Sequence, residues 1–270
     1  MNQNSLSPPT FPESWASDWG EDRYGLWMSF TIKGVRQKFR WLEPGSFMMG
    51  SPGDEPERER VWSGKETPHN VILSKGFWLA DSTVTQELWQ LVMGKNHSKF
   101  KGRHRPVESV SWDDAREFID QLNELVTGLS VCLPTEAQWE YGCRAGTITP
   151  FSFGDNITPN QVNYNGNYPY NYGTKGEYRE QTVDVKTLPC NAWGLYEMHG
   201  NVWEWCKDWF QEDLGADSVT DPKGPEKGED RVVRGGSWDG DGGDDRSAFR
   251  FWFHPGFSDV NIGFRLARSH

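Results

Sequence analysis

The stretch DGDGGDD at residues 239–245 places four carboxylates in seven positions, and carboxylate oxygens are the donors that hard cations select. The spacing departs from a calcium loop of the EF-hand kind. Counted from Asp239, the fifth position is Gly243, the sixth is Asp244 where glycine is required, and the twelfth is Arg250 where a bidentate glutamate is required. A turn-forming, solvated loop is the better reading. Phe249, Phe251, Trp252, Phe253 and Phe257 follow within nine positions. In an extended chain, alternation puts Phe249, Phe251 and Phe253 on one face and Ala248, Arg250 and Trp252 on the other. An arginine on one face argues against two dry faces. The phenylalanines are open to two readings, core packing or an accessible contact patch with His254 and Phe257; the second would use the large contact area that rigid aromatics bring at low entropy cost.

Other chemistry-bearing residues are sparse. The four cysteines, Cys132, Cys143, Cys190 and Cys206, are widely spaced with no CxxC pair, and read as reduced, buried, small apolar residues. His199, within GLYEMHGNVWEW, reads as a structural residue rather than a ligand. The adjacent acids Asp113 and Asp114 suit a helix N-terminus, where negative charge is stabilised. The chain has no G-x-S-x-G elbow, P-loop, G-x-G-x-x-G or H-E-x-x-H.

The elements that must hold these residues are short. At 270 residues the chain can bury a substantial core, and its 15 tryptophans suit a fold in which flat side chains fill space between irregular segments. A net charge of -11 argues against nucleic acid as a partner. The N-terminal residues have neither a basic nor an apolar signal region, and no run reaches transmembrane length. A cytoplasmic location is the default expectation, with surface display by another route left open. Residues 1–22 read as an N-terminal arm and 23–270 as a single domain. Strands are expected at 26–32 and 37–42 and within GSFMMGS, HNVILS, FWLADSTV, NVWEWCKDW, RVVRGGSW, RSAFRFWF and NIGFRLA. The charged run at 51–66 reads as a solvated loop. Three helices have start signals: Thr85 before QELWQLVMG, Ser111 with Asp114 before an amphipathic run that Gly128 would stop, and Thr135 with Gln138 in a capping box before a helix that Gly146 would end. Residues 151–180, rich in Asn, Tyr and Gly, read as turns. The fold class is α+β.

Seven motifs occur in order: PGSFMMGS, VTQELWQLVMG, RPVESVSWDDA, CLPTEAQWEYGCRAGT, NAWGLYEMHGNVWEWCKDW, RVVRGGSW and GFRLA. Together they resemble the formylglycine-generating-enzyme (sulfatase-modifying factor) family over about residues 40–267. The resemblance implies a C-type-lectin-like fold of that subclass, with short antiparallel strands, about three helices and long loops. The family's oxidases hold copper on two cysteines just after the GGS-aromatic motif. The matching positions here are Gly240 and Asp245, and no cysteine follows Cys206. A soft Cu(I) site needs thiolates, so no copper is expected.

The resemblance also implies structural calcium, at Glu197, Gly200, Val202 and Glu204, and less securely at Asn163, Tyr164, Glu177 and Arg179. Within the fold group the chain resembles the variable proteins of diversity-generating retroelements, in which adenine-directed mutagenesis rewrites the 3′ end of the gene. Residues 239–262 fit such a variable region. They contain no Lys, Glu, Gln or Met, and Arg246-Ser247-Ala248, Arg250, Pro255 and the GFRLA run look like interleaved scaffold. The expected face comprises Asp239, Gly240, Asp241, Gly243, Asp244, Phe249, Phe251, Phe253, His254, Gly256, Phe257, Asp259 and Val260, and the expected partner is a protein. The alternatives are a metal-dependent oxidase with a relocated site, and a structural or sensor module.

Overall fold

The computed structural model describes residues 6–58, 60 and 62–269. Three sheets organise it. The largest runs β1 (Asp18–Asp22), β2 (Gly25–Ile32), β3 (Val35–Leu42), β6 (Phe77–Ala80), β12 (Ala267–Ser269), each strand antiparallel to its neighbour. A second pairs β4 (Gly45–Met49), β5 (His69–Leu73) and β8 (Val219–Thr220). The third carries the C-terminal segment in the order β10 (Phe251–Phe253), β9 (Arg231–Arg234), β7 (Trp203–Trp209), β11 (Ile262–Gly263), with β11 parallel to β7.

The helices start where the capping residues require. α1 (Gln86–Met93) begins after Thr85, whose hydroxyl accepts from the Leu88 amide. In α2 (Trp112–Leu125) Ser111 and Asp114 form a reciprocal capping box, as do Thr135 and Gln138 for α3 (Glu136–Arg144). The ends are less legible. α2 stops at Val126, before Gly128, and Ala145 rather than Gly146 takes the left-handed cap of α3 at φ 47°. Strand extents also differ from expectation. The RSAFRFWF strand is reduced to Phe251–Phe253, because residues 246–250 turn inward. The NIGFRLA run splits between two sheets. The arm expected over 1–22 is tied to the domain from Leu6, whose carbonyl accepts from the Trp41 indole; Phe11 stacks on Trp78, Trp15 is buried against Phe39, and Asp18–Asp22 pairs with β2.

The main core lies between the first sheet and α1 and α2, where Trp89 stacks on Phe118 at 5.2 Å. It extends through Trp203 and Trp205 to Phe249. A second cluster packs α3 through Trp139 and Cys143 against Leu79 and Val232. The turn-rich 151–180 region forms its own small cluster around Phe151, Tyr164 and Tyr170. Among the described residues, no helix is long and apolar enough to cross a membrane.

Candidate functional site

The C-terminal segment leaves the third sheet through two glycines. Gly235 and Gly236 follow β9 at φ 97° and 74°, a region L side chains rarely adopt. A Cβ on Gly236 would lie 1.8 Å from Asp245 Oδ1, so the turn is tight as well as left-handed. Trp238 then anchors the loop. Its amide donates to Asn201 O, its indole donates to Val260 O, and its ring stacks on Tyr178. The two ends of the 239–260 stretch are thereby held close together.

Two of the buried side chains inside that stretch, and two flanking it, are arginines, each matched to glutamate. Arg246 bonds Glu66 through both terminal nitrogens at 2.7 Å and reaches Glu55 at 2.7 Å. Arg250 makes two bonds to Glu136, at 2.6 and 3.0 Å, and donates to the Lys65, Glu212 and Gln211 carbonyls. Arg234 pairs with Glu140 and donates to the Ser247 carbonyl, and Arg265 pairs with Glu204. Paired, hydrogen-bonded guanidinium groups can occupy an interior that a lone charge could not. This corrects the inference drawn from Arg250. Its side chain is buried, so both faces of the strand are partly dry: Trp252 stacks on Phe210 at 4.1 Å, while Phe251 and Phe253 pack toward Trp203 and Trp205.

The expected face divides by exposure. Asp239, His254, Gly256, Phe257 and Asp259 are exposed. Gly240, Asp241, Asp244, Phe251, Phe253 and Val260 are half-buried. Phe251, Phe253 and Phe257 form an aromatic ribbon, with centroid spacings of 5.1 and 4.6 Å. Two residues are corrected. Phe249 is 1% exposed and belongs to the main core beneath Trp203. Gly243 is buried because Arg60 and Glu57 close over it; a Cβ there would lie 2.2 Å from atoms of each.

That closure was not legible in the sequence. The 51–66 run, read as a solvated loop, packs over the acidic stretch. Arg60 bridges Asp241 at 2.7 Å and Asp244 at 3.1 Å, and its other terminal nitrogen meets Glu57 at 2.5 Å. Glu55 and Glu66 are buried with Arg246. The only sequence clue was an excess of alternating charge facing two arginines with no local partner. Next to this loop, burial and the neighbouring Asp241 push the Asp244 carboxyl up to about 6, against the pull of Arg60.

Asp245 is wholly buried and neither carboxylate oxygen has a hydrogen-bond partner among the described residues. Burial, then the charges of Asp244 and Asp241, push its pKa well above the ordinary carboxylate value and so favour the neutral acid. His199 sits beside it as a satisfied structural residue. Its Nδ1 meets the Asp245 carbonyl at 2.7 Å and its Nε2 meets the Ser152 amide at 3.1 Å. Those partners require the Nδ1–H tautomer, and burial lowers the imidazole pKa to about 4. The thiols nearby are not activated: burial raises Cys143 to about 12 and Cys206 well above its ordinary value.

The two oxygen sets considered for calcium differ. Glu204 has both oxygens bonded to Arg265 and also accepts from the Trp139 indole, and Glu197 is raised by burial to about 8. In the set Glu197, Gly200, Val202 and Glu204, Glu197 Oε2 is a buried acceptor without a partner, which fits a hard cation, whereas Glu204 is already engaged by the Arg265 guanidinium. In the second set, Asn163 Oδ1 is a buried acceptor without a partner, which fits a hard cation, and Tyr164 is buried next to it in the chain. Glu177 pairs with Arg179 at 3.0 Å but is largely exposed and free to turn.

Residues 33–270 match the family model of the sulfatase-modifying factor enzyme 1-like domain. The formylglycine-generating enzyme of Mus musculus is 34% identical over 211 residues, covering 75% of this chain and 54% of its own length, so the chain spans about half the length of that curated relative. Among solved structures, Treponema denticola variable protein 1 superposes with TM-score 0.74 at 29% identity, covering 90% of this chain and 98% of its own. PvdO from Pseudomonas aeruginosa gives TM-score 0.71 at 26% identity, over 86% and 94%. The chain belongs to the sulfatase-modifying factor enzyme 1-like family, with a C-type-lectin-like fold that it has in common with a variable protein.

Proposed function

We propose that this chain is a non-enzymatic, receptor-like ligand-binding protein whose residues 239–262 form a diversifiable surface that takes a protein partner. One observation carries the reading: within that segment the residues that look like scaffold, Arg246, Ser247, Ala248 and Arg250, are buried, whereas Asp239, His254, Gly256, Phe257 and Asp259 face solvent. Side chains at the exposed positions can change without touching the ion pairs that hold the backbone. The likeness to a solved variable protein over nearly its full length supports the same reading. The test is the DNA beside the gene. A near-copy of the codons for 239–262 that differs only at adenines, next to a reverse-transcriptase gene, is the expected finding; its absence removes the diversification half of the proposal.

The oxidase alternative rests on the relatives named formylglycine-generating enzyme. Gly240 and Asp245 supply no thiolate, and Cys143 and Cys206 are buried and protonated. Copper binding with thiol-dependent oxygen consumption by the purified protein would restore that alternative. A calcium ion held by Asn163 and Glu177, with carbonyls of Tyr164 and Arg179, is a separate structural proposal. It predicts a calcium-dependent rise in Tm that the exposed substitution Glu177→Gln removes.

A further inference from the structure

A cleft of about 240 Å³ opens on the acidic side of the proposed surface, lined by Trp62 of the 51–66 loop together with Trp203, Phe251, Asp239, Asp244 and Asn261. It is smaller than the roughly 300–1,000 Å³ that encloses a whole drug-sized ligand, and has the scale of a single side chain. Its walls are aromatic. Trp62 is 60% exposed, an unusual position for an indole on a surface that is otherwise strongly charged. Its polar side chains are two carboxylates, the Asn261 amide and the Ser237 hydroxyl.

The charge balance around the cleft is one-sided. Arg234, Arg246, Arg250 and Arg265 are buried and engaged by glutamates. Arg60 is shared among Glu57, Asp241 and Asp244. Asp239 accepts from two neutral donors, the Ser237 hydroxyl at 2.7 Å and the Asn261 amide at 2.9 Å. Among the described residues Asp239 has no cationic partner, and aromatic faces beside such a carboxylate attract a cation on an apolar stem, through cation–π contact and charge-assisted hydrogen bonds.

Resting on the binding-surface reading, the geometry points to a lysine or arginine side chain of the protein partner as the occupant of this cleft. The methylene stem lies between Trp62 and Phe251, and the cationic head meets Asp239 and Asp244. A free polyamine has related chemistry, but the cleft admits one side chain at the rim of a broader aromatic ribbon, which a protein surface can cover at the same time.

The experiment follows the Trp62 indole N–H by NMR in the full chain, assigned with Trp62→Phe. The probes are Ac-Gly-Lys-Gly-NH2, Ac-Gly-Arg-Gly-NH2, the norleucine counterpart, the glutamate counterpart and spermidine. The cationic peptides are expected to shift the Trp62 signal saturably, the norleucine and glutamate peptides not to, and Asp239→Asn to weaken the lysine peptide by about fivefold. Equal response to norleucine, no saturable response to lysine up to ~50 mM, or no effect of Asp239→Asn overturns the inference. Spermidine binding more tightly than both peptides would also overturn it, in favour of a small-molecule site. If the flanking DNA carries the template repeat and the peptides fail, the cleft assignment falls while the surface reading stands. If the peptides bind and no repeat exists, the cleft stands on a protein that is not diversified.

Discussion

Asp245 shows how burial sets the protonation preference of a single side chain. A carboxylic acid buried without partners favours its protonated form, whereas the unfolded chain ionises it near the ordinary value of about 3.9. The folded state therefore binds the extra proton. Its contribution to stability is fully present below the unfolded pKa and is lost as pH rises from there toward the raised folded value. Asp245→Asn removes this titration while keeping the shape. The variant is expected to be more stable than the parent at pH 7, with the gap shrinking toward pH 4, as measured by urea unfolding across that range. A gap that is constant with pH would show that Asp245 does not titrate as described.

The opposite case is Arg246, whose charge is buried but matched by Glu66 and Glu55. Arg246→Met strands Glu66 in the interior and is expected to cost about 3–5 kcal/mol in unfolding free energy.

At the scale of elements, helix α3 and the 51–66 loop do the positioning. Glu136 and Glu140, one turn apart on α3, hold Arg250 and Arg234, so the helix start sets the base of the C-terminal segment. Removing its cap in Thr135→Ala is expected to cost about 1 kcal/mol in chemical denaturation. The loop contributes through Arg60. Arg60→Ala frees Asp241 and Asp244 from their common cation, and the amides of Gly243 and Asp244 are expected to exchange hydrogen about tenfold faster, with the β-sheet amides unchanged. Unchanged exchange at those two amides would mean that the backbone turn, in which the Asp244 amide donates to the Asp241 carbonyl, holds the loop without Arg60.

At the scale of the whole molecule, stability and the candidate surface are carried by different atoms. Buried arginine–glutamate pairs and aromatic clusters hold the backbone, while the exposed positions of 239–262 make local contacts, Asp239 with Ser237 and Asn261 and Phe257 with Phe253, and take no part in the buried ion pairs. Replacing Asp239, His254, Phe257 and Asp259 together by serine is expected to move Tm by no more than ~5 °C, since each is a surface change in a chain of this size. Irreversible unfolding or a much larger loss in calorimetry would show that the surface is part of the core.

The sequence by itself was enough for the family, the α+β class and the three helix starts, because capping residues and ordered motifs act through local hydrogen bonds between residues a few positions apart. It also led to the expectation of a variable face over 239–262, in which residues 245–250 are in fact buried together and 256–259 exposed together. Tertiary structure decided which phenylalanine is core and which is surface, since Phe249 and Phe251 have the same local pattern and differ only in what lies above them. It also decided that the charged 51–66 run is not a free loop and that Arg250 points inward. Both depend on partners far away in the chain: Arg60 reaches Asp241, and Arg250 reaches Glu136. The pairing of buried charges is a long-range condition on the folded state, and no short window of sequence contains both halves of it.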